Sequence, residues 1–137
     1  MTSLEQAREI FGNDRYATCL TGVEIKAVGN HEASCSMSIK PEHCNARGVA
    51  MGGALFTLAD FCAAVACNSD SLDSGDLHWV SLDASIHYLS PALLGTTLEA
   101  RCTALKHGRT TAFYQTIIES PDNGKRVAIV EITMVFC

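Results

Sequence analysis

Two features of one segment could carry chemistry: the pair Gly52-Gly53 and the carboxylate of Asp60. Asp60 is the only charged residue between Arg47 and Asp70, inside a run from about 51 to 67 rich in Ala, Leu and Phe. That run reads as one helix, apolar nearly all round, which must be buried on most faces. A carboxylate there is destabilising by on the order of several kcal/mol unless it is paired or opens on a cavity. Asp60 therefore either hydrogen-bonds a backbone amide or an arginine of another element, or faces a cleft as nucleophile or general base. The glycines also admit two readings. They let the helix start pack against a sheet, or they let a ligand approach first-turn N–H groups that lack intrahelical acceptors and could hold an oxyanion.

The spacing of the pair adds a constraint. Gly52 and Asp60 are eight residues apart, or about 12 Å along a helix axis. An attacked carbonyl must lie about 3 Å from both its oxyanion donor and its base or nucleophile. One helix cannot serve both ends. Two antiparallel copies related by a two-fold axis can, so a catalytic pair implies at least a dimer with two sites.

Other candidates are poorer. His31, His43, His78, His87 and His107 show no metal-ligand spacing with cysteines or acids, so no metal is expected. His43-Cys44 is adjacent in sequence, and adjacent side chains rarely point at one another. No G-x-S-x-G, Walker or G-x-G-x-x-G motif occurs. Trp79 suits core or interface better than a base-stacking platform.

The elements that must position these residues follow from pattern. Ser3-Leu4-Glu5-Gln6 has the form of a capping box, with Ser3 as N-cap, opening a short amphipathic helix that stops at Gly12. Residues from 17 to about 28 suit a strand, Gly29-Asn30 a turn, and 33–39 a strand alternating at period two. Residues 41–50 read as a loop, followed by the long helix. Asn68 to Asp76 is a polar loop, expected to be mobile. Four strand-like runs follow, at about 78–89, 95–106, 109–119 and 126–136, and their short turns suggest an antiparallel meander. Asn123-Gly124 is the strongest hairpin signal. The class is α+β, with one sheet curled around one central helix.

Composition bounds the rest. With 137 residues, 47% of them apolar and 18% charged, the chain suits one domain, 1–137, with a sizeable core. A net charge of −5 without a basic face argues against nucleic acid. No run approaches the roughly 18 apolar residues of a membrane span, and the start of the chain is not a secretory signal. Seven cysteines without a C-x-x-C pair read as reduced thiols of a cytoplasmic protein.

The stretch Asn45-x-x-Gly48-x-x-Met51-Gly52-Gly53, with Asp60 on the helix, resembles the hotdog-fold acyl-CoA thioesterases. The likeness is to the PaaI-like branch, related to phenylacetyl-CoA and 4-hydroxybenzoyl-CoA thioesterases. The run Val80 to Ala92 and the turn Lys106-His107-Gly108-Arg109 extend it over about residues 40–137. The resemblance implies a curved antiparallel sheet wrapped around the helix and hydrolysis of an aromatic or medium-chain acyl-CoA to free acid and CoA, without cofactor or metal. By the same likeness the Gly52 N–H holds the oxyanion, with Met51 and Gly53 beside it at the substrate. Asp60 of a partner subunit acts as nucleophile or base, Asn45 orients the carbonyl or the water, and Ser81 positions water. Lys106, His107, Gly108 and Arg109 lie near the nucleotide and phosphates of CoA. A homodimer, assembled as a dimer of dimers, is the implied assembly. Met51 stands where this branch has histidine, and methionine neither donates a hydrogen bond nor titrates. That departure keeps an alternative open, a hotdog protein that binds acyl-CoA without turning it over.

Overall fold

A six-stranded antiparallel sheet, in the order β1-β2-β4-β5-β6-β3, curves around one long helix. The computed structural model describes residues 1–137. Its elements in chain order are α1 (Ser3–Phe11), β1 (Glu24–Gly29), β2 (Glu32–Ser38), α2 (Gly52–Cys67), β3 (Trp79–Tyr88), β4 (Thr97–His107), β5 (Thr111–Ser120) and β6 (Lys125–Phe136). This is the hotdog arrangement, with α2 as its filling.

The core forms where alternation in the strands meets the apolar helix. On β2 the inward residues are Ala33, Cys35 and Met37, on β4 Leu98, Ala100 and Cys102, and on β5 Ala112, Tyr114, Thr116 and Ile118. They close on Leu58, Ala59, Cys62, Val65 and Ala66 of α2. Many of these side chains are small, so helix and sheet approach closely and aromatics are little needed. Trp79 is buried, as expected.

Several expectations need correction. The cap of α1 is Thr2, not Ser3: Thr2 Oγ1 accepts from Glu5 N at 3.1 Å, and Glu5 Oε2 accepts from Thr2 N at 3.3 Å. The box closes one residue earlier because Glu5 supplies a charged acceptor where Gln6 cannot. Residues 17–28 are not one strand. A single wide turn, Tyr16–Leu20, closed by Thr21 N bonding to Tyr16 O at 2.9 Å, precedes β1. The β1–β2 turn is centred on Asn30-His31, both at positive φ, with Gly29 already paired to Glu32. The last four strands are not a meander. β4, β5 and β6 follow one another, but β3 pairs with β6 at the far edge. The connection around Ser90-Pro91 crosses the open end of the sheet, held by the bridge of Val49 with Leu93.

The polar loop after α2 is tied down rather than loose. Buried Asn68 donates to Ala64 O and Trp79 O and accepts from Trp79 N, Leu72 is buried, and Gln6 Nε2 donates to Asp73 Oδ1 at 2.8 Å.

The two edges of the sheet differ. β1 is six residues long, bulged between Ile25 and Ala27, and carries Glu24 and Lys26. Arg8 of α1 donates twice to the Ile25 carbonyl, at 3.0 and 2.8 Å. β3 is ten residues long, with Val80 and Leu82 exposed and no strand beyond it.

Candidate active site

Residues 43–51 fold into a turn that delivers the start of α2. The Asn45 side chain organises it, with Oδ1 accepting from Arg47 N at 2.9 Å and more weakly from Val49 N at 3.4 Å. Gly48, at φ +83, makes the left-handed step that lets Asn45 and Val49 close on each other. Met51 then donates its N–H to His43 O at 2.7 Å and takes the cap position of α2 without a side-chain cap. His43 is buried and fully used: Nδ1 accepts from Lys40 N and Nε2 donates to Thr21 O. It offers nothing to Cys44.

With no capping side chain, the first-turn amides stay open. Ala54 and Leu55 N–H both turn back to Met51 O, while the N–H groups of Gly52 and Gly53 find no acceptor in the chain. A Cβ at Gly52 would sit 2.7 Å from Tyr88 Oη, so the absence of a side chain there lets the Tyr88 hydroxyl lie over the helix start. A cavity of about 430 Å³ opens at this point, between Asn45, Gly52, Leu55, Tyr88, Leu89 and Pro91.

Asp60 lies two turns further along α2, on a half-open stripe with Gly53, Phe56, Thr57 and Ala64. Its Oδ1 accepts from Ser81 Oγ at 2.7 Å, and Ser81 Oγ also lies 3.6 Å from Met134 Sδ. No arginine, lysine or histidine pairs with Asp60. Because Ser81 belongs to the edge strand β3, the carboxylate sits at the open margin of the domain. Of the two readings of Asp60, the one with an arginine or backbone partner finds no such bond, and the serine hydroxyl leaves the second carboxylate oxygen unoccupied.

The other expected residues divide. Met51 is half exposed beside the glycines. Lys106 and Arg109 are exposed around the β4–β5 turn. His107 is half-buried, with Nδ1 2.8 Å from Tyr114 Oη and its ring stacked on His31 at 3.8 Å. Burial, and then the neighbouring His31, hold its imidazole below the usual histidine range. Tyr88 is the residue that pattern reading passed over. Only the register that ends β3 beside the helix start gives it a place in the cavity.

A family model described as the thioesterase superfamily matches residues 47–127. Acyl-coenzyme A thioesterase 13 of Homo sapiens is 34% identical over 96 residues, which are 69% of this chain and 65% of that protein. The matched stretch thus spans a little less than two thirds of that relative. Acyl-coenzyme A thioesterase PaaI of Escherichia coli K12 is 31% identical over 110 residues, 80% of this chain and 74% of that one. The solved structure of zebra fish thioesterase superfamily member 2 superposes with a TM-score of 0.85 at 26% identity, over 100% of both chains. Fold, helix-borne motif and sequence agree: the chain belongs to the thioesterase superfamily, as a PaaI-like member with the hotdog fold.

Proposed function

We propose that the protein hydrolyses an acyl-CoA thioester, aromatic or medium-chain, to the free acid and CoA in the cytoplasm. The observation that carries this reading is Asp60, held by Ser81 at 2.7 Å and paired with no cation, at the open edge of the domain. A structural carboxylate would be neutralised within its own chain.

The donors and the carboxylate lie on one helix and face different ends of it, so the site needs a second copy. Two α2 helices packed antiparallel along their half-open stripes would bring Gly52 of one chain to Asp60 of the other. The exposed β3 edges would continue the sheet across the pair, and two such dimers form the expected tetramer. The thioester carbonyl would accept hydrogen bonds from Gly52 and Gly53 N–H. Asp60 would take a proton from water as that water attacks the carbonyl carbon. The oxyanion then collapses, the C–S bond breaks, and the CoA thiolate leaves and is protonated. Direct attack by Asp60, forming an acyl-aspartyl anhydride that water opens, uses the same positions. Ser81 holds Oδ1 so that Oδ2 faces the reacting carbon, and Asn45 keeps the helix start and the cavity wall in place. Lys106 and Arg109 offer exposed charge to the CoA phosphates beside Gly108. The cavity wall of Leu55, Leu89 and Pro91 suits an apolar acyl group.

The test is thiol release from a panel of acyl-CoAs. Asp60→Asn lowers turnover by about 10²–10⁴-fold with circular dichroism unchanged. Full activity in that variant would sink the assignment. Met51 favours a second reading, acyl-CoA binding without turnover, because a half-exposed thioether adds no polar group beside the oxyanion donors. Under that reading the wild type binds acyl-CoA without releasing thiol, and Met51→His raises the rate. Under the first, turnover is present before the substitution.

A further inference from the structure

Far from the glycines, past the C-terminal end of α2, three residues distant in sequence meet. His31 comes from the β1–β2 turn, Asp70 from the loop after α2, and His107 from the end of β4. One ligand atom from each lies within 4.8 Å of the other two. His31 Nε2 is 2.5 Å from Asp70 Oδ2, and the His31 and His107 rings stack nearly parallel, 11° apart.

We propose that His31, Asp70 and His107 form a binding site for one divalent late first-row transition ion of the zinc class. Two imidazoles and a carboxylate suit zinc, nickel or cobalt and are a poor match for magnesium or calcium, which take all-oxygen shells. Ligands about 2.0–2.1 Å from a tetrahedral ion lie roughly 3.3 Å apart, so to meet it the 2.5 Å contact of His31 with Asp70 opens by just under an ångström, and the stacked rings tilt to turn their lone pairs on one point. Asp70 is largely exposed, which gives the ion a way in and leaves a fourth position for water.

Two observations beyond the cluster point to a ligand. Tyr114, fully buried, has its hydroxyl 2.8 Å from His107 Nδ1; in the tautomer where Nδ1–H donates to that oxygen, Nε2 carries the free lone pair, the support that metal-binding histidines usually have. His31 sits at φ +61 in a two-residue turn, where glycine is the favoured residue. Ser69 Oγ accepts its N–H at 3.0 Å and fixes the imidazole over the loop that carries Asp70. A side chain held in left-handed backbone and aimed at a carboxylate and a second imidazole is placed for more than closing the turn. An ion here would tie together the β1–β2 turn, the α2–β3 loop and the β4–β5 hairpin.

The only tryptophan, Trp79, provides the readout, because its ring lies 4.7 Å from that of His107. The experiment titrates the full-length chain, stripped of metal and carrying Cys19→Ser and Cys137→Ser to remove exposed thiols. Zn²⁺ is followed by calorimetry and Ni²⁺ by Trp79 fluorescence. One equivalent of Zn²⁺ binds, and Ni²⁺ quenches the emission. His31→Gly is the decisive variant, because it removes the imidazole while relaxing the turn, and it folds as well as the parent by circular dichroism. It weakens Zn²⁺ binding by about tenfold or more and abolishes the quenching, and Tyr114→Phe weakens binding by about tenfold. No binding to the parent chain, or equal binding and quenching in folded His31→Gly, overturns the proposal. Neither readout involves a thioester, so the outcome is independent of the hydrolytic reading.

Discussion

At the scale of single residues, Asp60 and Ser81 show how sequence and register divide the work. The carboxylate stood out as a lone charge on an apolar helix. Its partner became definite only once β3 was placed beside α2, where Ser81, though exposed, reaches Asp60 next to Met134. The cysteines divide by the same kind of placement. Cys35, Cys62, Cys67 and Cys102 are buried, whereas Cys19 and Cys137 are exposed. Burial pushes the Cys67 and Cys102 thiols up to about 12, and contact with Cys35 together with burial holds the Cys62 thiol well above the usual thiol range. At pH 8 only about one in 10⁴ of the Cys67 and Cys102 thiols is then ionised, and the thiolate is the reactive form. Alkylation of the native protein at pH 8 should label Cys19 and Cys137 quickly and the four buried cysteines only on unfolding. Fast labelling of Cys62 or Cys102 in native protein would contradict this core.

Element boundaries were legible wherever periodicity was strong. The helix of residues 52–67 and the strands after residue 78 emerge within a residue or two of the pattern. What pattern could not supply was which strand borders which. A short turn after β3 suggested a hairpin with β4, yet β3 lies across the sheet against β6. Strand alternation tells which side chains point inward but is silent on neighbours. For the same reason the approach of His31, Asp70 and His107 could not be read from spacing. Gly52 illustrates how an element and a site share one residue. Gly52→Ala places a methyl group against the Tyr88 hydroxyl, and Tyr88, 54% exposed, can swing aside. Stability should change by less than about 1 kcal/mol in thermal melts. Turnover should fall by about tenfold or more, since displacements of about 1 Å at a reacting centre are expensive. A variant that loses its cooperative melt instead would show that the glycine serves packing alone.

For the molecule as a whole, the hydrolytic reading makes activity a property of a pair of chains. Leu82, 63% exposed at the bulge of β3, lies on the surface that the second copy would cover. Leu82→Lys should weaken self-association by roughly 30-fold, as for a loss of about 2 kcal/mol at a central interface residue. Light scattering coupled to size exclusion would then report a monomer at micromolar protein, with thiol release lost in proportion. A monomer that keeps full turnover would mean that one chain holds a complete site. No helix of the structure is long and apolar enough to cross a membrane.

The unequal rims of the sheet set a limit on growth. Strand-to-strand addition needs a free row of amides and carbonyls, and on one side Arg8 occupies the Ile25 carbonyl while a bulge breaks the row. The opposite side is long and bare. Through its strand edges a subunit so built has a valence of one: it can join a twin, but the joined pair exposes only its two blunted rims and cannot lengthen its sheet into a fibre, so any pairing of dimers must use another face.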